Sequence, residues 1–197
     1  MLKLFMVLLM SLMLTIEAKG GEANFKTEMQ PQKAISGKCL NYIEKLDCNF
    51  YNCLEERFPC GPTGFSLGAS LIYCKRSEGF KSHLSMEARQ NYVTLRHCLL
   101  MSAEIVYKLN STTCANIAKK LYDAYVPCFY ESNICKIGWE NRDVYHDVFN
   151  IKSSKEQSPY SQLIWKDITK IASKCPTESG KKFAKWLKGI GKPKNLI

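Results

Sequence analysis

Ten cysteines lie between positions 39 and 175 of this 197-residue chain, and no other feature limits its fold as much. Cys39, Cys48, Cys53, Cys60, Cys74, Cys98, Cys114, Cys128, Cys135 and Cys175 are separated by 8, 4, 6, 13, 23, 15, 13, 6 and 39 residues. An even count reads as a closed disulfide framework wherever the compartment is oxidising, because thiols that meet there become cross-links. The connectivity stays open at this level, since ten cysteines allow on the order of a thousand pairings.

The N-terminus points to such a compartment. Lys3 precedes an apolar run over 4–16, broken only by Ser11 and Thr15, shorter than the roughly twenty residues that a bilayer span needs. With Ala18 and Gly20 at minus three and minus one, residues 1–20 read as a secretory signal peptide cut after Gly20, the alternative being a retained signal anchor. The expected location is secreted and extracellular. No later window has the eighteen or so uninterrupted apolar residues of a membrane helix. An apolar fraction of 46% beside 23% charged residues excludes wholesale disorder and collagen. The leader carries two lysines and one glutamate, so its removal lowers the net charge from +10 to +9.

Beyond a flexible arm over 21–38, apolar residues recur at three- and four-residue intervals, which predicts an all-α fold in a single domain. Leu40, Ile43, Leu46, Phe50, Cys53 and Leu54 give a first helix, ended by Pro59 and Gly61-Pro62. Residues 63–76 fit a short helix better than a strand. The stretch 85–109, free of Pro and Gly, predicts a helix of about six to seven turns. Ser111-Thr112-Thr113 offers N-cap hydroxyls to the next stripe, which Pro127 closes. A shorter segment follows over 139–149, a polar loop over 152–158, and a helix from Pro159 to Cys175.

The cysteine series resembles that of the stanniocalcin family. All but two of the eight gaps from the first to the ninth cysteine agree. So do Lys38-Cys39-Leu40-Asn41, Cys53-Leu54-Glu55, and Asn133-Ile134-Cys135 followed by Ile137. The resemblance covers residues 39–175 and implies a disulfide-stapled helical bundle. It also implies a pairing: Cys39 with Cys53, Cys48 with Cys74, Cys60 with Cys114, Cys98 with Cys128, and Cys135 with Cys175. On the loop-entropy picture each bridge contributes roughly 3 to 4.5 kcal/mol.

Three departures from the family bear on function. The gap between Cys60 and Cys74 is five residues longer, with Gly61-Pro62-Thr63-Gly64 as the insertion. No cysteine follows Cys175, so a disulfide-linked dimer is not expected, while a non-covalent dimer stays open. The only glycan acceptor is Asn110-Ser111-Thr112, at a turn between two predicted helices, with a plain helix cap as the alternative.

Candidate catalytic chemistry is sparse, and enzymatic activity is not expected. The three histidines, His83, His97 and His146, have no His-x-x-x-His or His-Glu partner, so no metal or cofactor is expected. The glycines between 61 and 68 lack the Lys-Ser/Thr ending of a phosphate loop and read as a turn. Glu55-Glu56, and Asp143 with Asp147, read as solvated carboxylates.

Charge concentrates in a basic amphipathic tail over 176–197, where Lys181, Lys182, Lys185, Lys188, Lys192 and Lys194 face only Glu178. Phe183, Trp186, Leu187 and Ile190 follow helical spacing. One reading is an interfacial helix in which these lysines and Trp186 bind an anionic membrane or a glycosaminoglycan. In the other, the stripe docks on the core and the lysines are merely solvated. Nucleic acid is not an expected partner for a secreted chain. The resemblance itself implies a hormone or regulatory glycoprotein acting by protein–protein contact with a cell-surface receptor or an extracellular protease. It also implies a link to calcium and phosphate homeostasis, and inhibition of pappalysin-type proteases.

Overall fold

Apolar residues at helical spacing give helices, and the computed structural model places nine α-helices within the residues it describes, 26–149 and 160–190. They are α1 (Gly37–Glu44), α2 (Phe50–Arg57), α3 (Ile72–Phe80), α4 (Met86–Tyr107), α5 (Cys114–Glu131), α6 (Ile134–Ile137), α7 (Arg142–Phe149), α8 (Ser161–Ser173) and α9 (Glu178–Ile190). A π-helical turn, Ser66–Leu71, leads into α3, and a 3-10 turn, Lys81–His83, follows it. The expected leader, the loop over 152–158, Lys192 and Lys194 lie outside the described residues. No described helix is long and apolar enough to cross a membrane.

Five disulfides staple the bundle: Cys39–Cys53, Cys48–Cys74, Cys60–Cys114, Cys98–Cys128 and Cys135–Cys175. These are the same five pairs that the resemblance implies, and among the described residues they leave no free cysteine. The Cys98–Cys128 bridge joins the middle of α4 to the end of α5. These two long helices form an antiparallel hairpin. Ser85 caps α4 by accepting from Ala88 N at 3.2 Å, and Thr113 caps α5 by accepting from Asn116 N at 3.0 Å. Between them the hydrophobic cluster runs from Phe50, Leu54 and Phe58 through Leu100 and Tyr107 to Ile164, Ile168, Phe183 and Leu187.

Four expectations need correction. The apolar stripe over 40–54 is two helices, because Leu46 takes a left-handed φ of 53° and the Asp47 carboxylate receives Asn49 N at 2.8 Å. The chain turns sharply there, with Cys48 bridged to Cys74. Pro127 does not close α5, which continues to Glu131. The proline removes one amide bond on the exposed side, where water can serve the freed carbonyl, while Cys128 and Phe129 are held in the core.

The arm is not free over 26–38. Met29 and Thr112 exchange backbone hydrogen bonds of 2.7 and 3.1 Å, and Gln32 N donates to Arg57 O at 2.9 Å. Arg57, 4% exposed, is the clamp. Its Nε donates to Tyr107 O at 2.7 Å, its Nη2 to Leu109 O at 3.1 Å, and its Nη1 to Lys33 O. A cation beside the last carbonyls of α4 is also favoured by the helix dipole.

Lastly, residues 178–190 belong to the bundle and are not an appended tail. Thr177 Oγ1 donates to Cys135 O at 2.9 Å and receives Gly180 N at 3.0 Å, which starts α9. Gly180 has to be glycine here, because a Cβ would lie 2.2 Å from Cys175 Cβ, which its bridge to Cys135 holds in place. Gly138 lets the Phe183 ring approach, since a Cβ there would stand 2.6 Å from that ring.

Candidate functional site

The outward face of α9 carries the predicted lysines. Lys181, Lys182, Lys185 and Lys188 are exposed. Opposite them, Phe183 and Leu187 are fully buried and Ala184 nearly so. Trp186 is half-buried, stacked on Phe183 with ring centroids 5.9 Å apart and 6.3 Å from Trp165. An interfacial helix needs its aromatic stripe free for lipid, so the insertion reading for Trp186 is replaced by core docking. The lysine face remains open to solvent.

Sequence reasoning missed a second row. Lys166 and Lys170 on α8 and Lys174 at its C-cap are all exposed, on the side away from the buried Ile164, Ile168 and Ile171. Their four-residue spacing was the available signal. What the linear chain could not show is that α8 and α9 pack together, joined through the turn at Cys175.

More large apolar side chains are exposed on α4 than on any other described helix, set among polar neighbours such as Gln90 and Thr94. Met86, Val93, Met101 and Ile105 are 75%, 43%, 42% and 65% exposed, and their spacing puts them on one side of the helix with His97. A shallow cavity of about 560 Å³ lies along its C-terminal half, lined by Thr94, His97, Met101, Ile105 and Glu131. Tyr130, 42% exposed, stands near the end of α5.

A second cleft of about 560 Å³ lies between α1, α3 and α4, lined by Lys45, Lys75, Lys81 and Arg96 with Asp47 and Glu78. Its floor is a structural knot. Arg96 Nη1 donates to Glu78 Oε2 and to Tyr92 Oη, the latter at 2.8 Å, while Nη2 sits 3.1 Å from Cys48 Sγ. Burial lowers the Arg96 pKa, against which the Asp47 charge works, and burial raises that of Tyr92. The guanidinium is thus engaged in joining α3 and α4 beside the Cys48–Cys74 bridge.

The histidines sit on three separate elements. His83 is exposed on the 3-10 turn and His97 on α4, and His146 Nδ1 on α7 lies 3.3 Å from Asp147 Oδ1. Among the described residues, no three His, Cys, Asp or Glu side chains gather around a point where a metal ion could sit. Asn110 is exposed in the loop between α4 and α5. Thr112 of the same motif is buried, and its Oγ1 receives Asn116 Nδ2 at 3.0 Å. Comparison with family models, curated proteins and solved structures finds no match.

Proposed function

We propose that this chain is a secreted, stanniocalcin-like regulatory glycoprotein that acts by contact with another extracellular protein and performs no turnover of its own. The observation that carries the reading is the cysteine framework: ten residues at family-like spacing joined in five bridges. Such a set needs an oxidising compartment to form and persist. The leader-like residues 1–20 fit that route. Asn110, exposed on its loop, is the glycan acceptor in this reading.

The contact face is the outer side of α4. Four large apolar side chains on a helix braced by the Cys98–Cys128 bridge form a rigid surface of the kind that marks a protein interface. Rigidity matters because little conformational freedom is lost on binding. The partner is an extracellular protein, either a receptor or a pappalysin-type protease, and the downstream process is calcium and phosphate handling.

The test adds purified, oxidised protein to a pappalysin-type protease and, separately, to intact epithelial cells. Saturable one-to-one inhibition or saturable cell-surface binding is expected, lost in Met101→Glu and Ile105→Glu variants that retain the native helical signal. Neither inhibition nor saturable binding, or equal activity in both variants, would overturn the proposal.

A further inference from the structure

We infer that the outward faces of α8 and α9 together form a docking surface for a linear sulfated glycan. The surface uses seven lysines: Lys166 and Lys170 from α8, Lys174 at its C-cap, and Lys181, Lys182, Lys185 and Lys188 from α9, all exposed. The two helices carry only two acids, Asp167 and Glu178. Asp167 is occupied, receiving the Tyr122 hydroxyl. None of the seven lysines has an ion-pair partner among the described residues, although Lys81, Lys108, Lys119 and Lys136 elsewhere do.

The two rows stand on helices that pack against each other. Lys166 to Lys174 covers about 12 Å of helix axis and Lys181 to Lys188 about 10 Å. The two rows lie on neighbouring helices whose axes pack roughly 8–10 Å apart. The opposite side of each helix is in the core, through Ile164, Ile168 and Ile171 on α8 and Phe183 and Leu187 on α9. The Cys135–Cys175 bridge and the Thr177 cap fix the turn between them. This is a pre-formed cationic plate and not a mobile tail.

Its chemistry selects the occupant. Lysine ammonium groups are point charges that suit many spaced anions, not the bidentate capture of one. Neither cavity described above is lined by any of the seven. A bilayer is disfavoured because, among the side chains described on these helices, Leu163 at 43% is the one large apolar group that is exposed. Among polyanions, a sulfated glycan is the one a secreted protein meets, so the choice of occupant rests on the secreted reading proposed above. The lysine rows are separate from the α4 face, so loss of heparin binding and loss of protein contact are distinguishable.

The test measures affinity of the full chain for a heparin oligosaccharide at low and moderate salt. Comparison ligands are the same oligosaccharide without sulfate, phosphatidylserine vesicles and duplex DNA. Three triple variants are compared: Lys166/Lys170/Lys174→Gln, Lys181/Lys182/Lys185→Gln, and a control, Lys45/Lys119/Lys120→Gln. A lysine near an anionic surface changes affinity by about fivefold at low salt, so each row should weaken heparin binding by on the order of a hundredfold. Desulfated sugar and the vesicles should bind weakly, and affinity should fall with salt as counterions are released. The inference is overturned if the control loses as much as either row, if the α8 row proves silent, or if vesicles or DNA bind as tightly as heparin.

Discussion

Arg57→Met tests the idea that one buried cation holds the N-terminal segment and the α4 C-terminus together. Methionine keeps most of the stem's apolar contact and removes the charge and all three donors. The bond to Tyr107 O at 2.7 Å is fully buried, and leaving that carbonyl unmet costs about 1–3 kcal/mol. The carbonyls of Lys33 and Leu109 are only half-buried, and with partial rehydration each loses about 1 kcal/mol. The guanidinium also lies over the rings of Phe58 and Tyr107, at 5.3 and 5.5 Å, adding about 0.5–1 kcal/mol apiece. Burial of the methionine end recovers about 1 kcal/mol. The net expectation is a loss of about 3–6 kcal/mol, read by urea unfolding of the disulfide-intact protein. Arg57→Lys should fall between the two, because an ammonium cannot span three carbonyls. Amide exchange supplies the local reading: Met29 and Gln32, whose N–H groups bond to Thr112 O and Arg57 O, should lose protection. A loss under about 1 kcal/mol with both amides still protected would refute the clamp.

Gly180→Ala should unseat α9, since the new methyl meets Cys175 Cβ at 2.2 Å; tryptophan emission from Trp165 and Trp186 should shift to the red, and an unchanged spectrum would count against the tight turn. Replacing Cys98 and Cys128 by alanine opens a 30-residue loop and should lower stability by about 3.5 kcal/mol in the same denaturant assay. Glu55 titrates high because burial disfavours its charge, only partly offset by hydrogen bonds from the Gly61 and Cys60 amides. A carboxyl whose folded pKa is raised favours the native state most when protonated, and that contribution is lost as pH rises through the folded value. Glu55→Gln should therefore raise the unfolding midpoint relative to wild type at neutral pH, and the advantage should shrink and vanish as pH falls below the ordinary 4.5; a pH-independent difference would contradict the assignment.

Much of the helical plan was legible because it depends on local spacing. The stripe over 85–109 became α4, and that over 160–175 became α8, since each alternates core and solvent within a few residues. The cysteine intervals likewise carried a framework, though only through resemblance did they imply partners. The misreadings arose where a distant contact outweighed a local signal. Pro127 breaks helices in isolation, yet α5 runs past it to its bridged Cys128. Leu46 looked like one more apolar helical position, and its left-handed turn accompanies a chain reversal between two bridges.

The candidate surfaces divide in the same way. The lysines of α9 stood out as a run, whereas Lys166, Lys170 and Lys174 gained meaning only when folding set them beside it. Which side of the Phe183 stripe would meet water was open in the sequence, because an amphipathic helix serves a membrane or a core equally well. The aromatic pocket around Trp165 and Tyr145 decided it. The amino-acid order by itself determined where most helices lie, the charge and the spacing of the sulfurs, since these follow from neighbours along the chain. Tertiary structure alone decided which faces were buried and which helices packed side by side, because burial depends on surfaces contributed by residues far apart in that order.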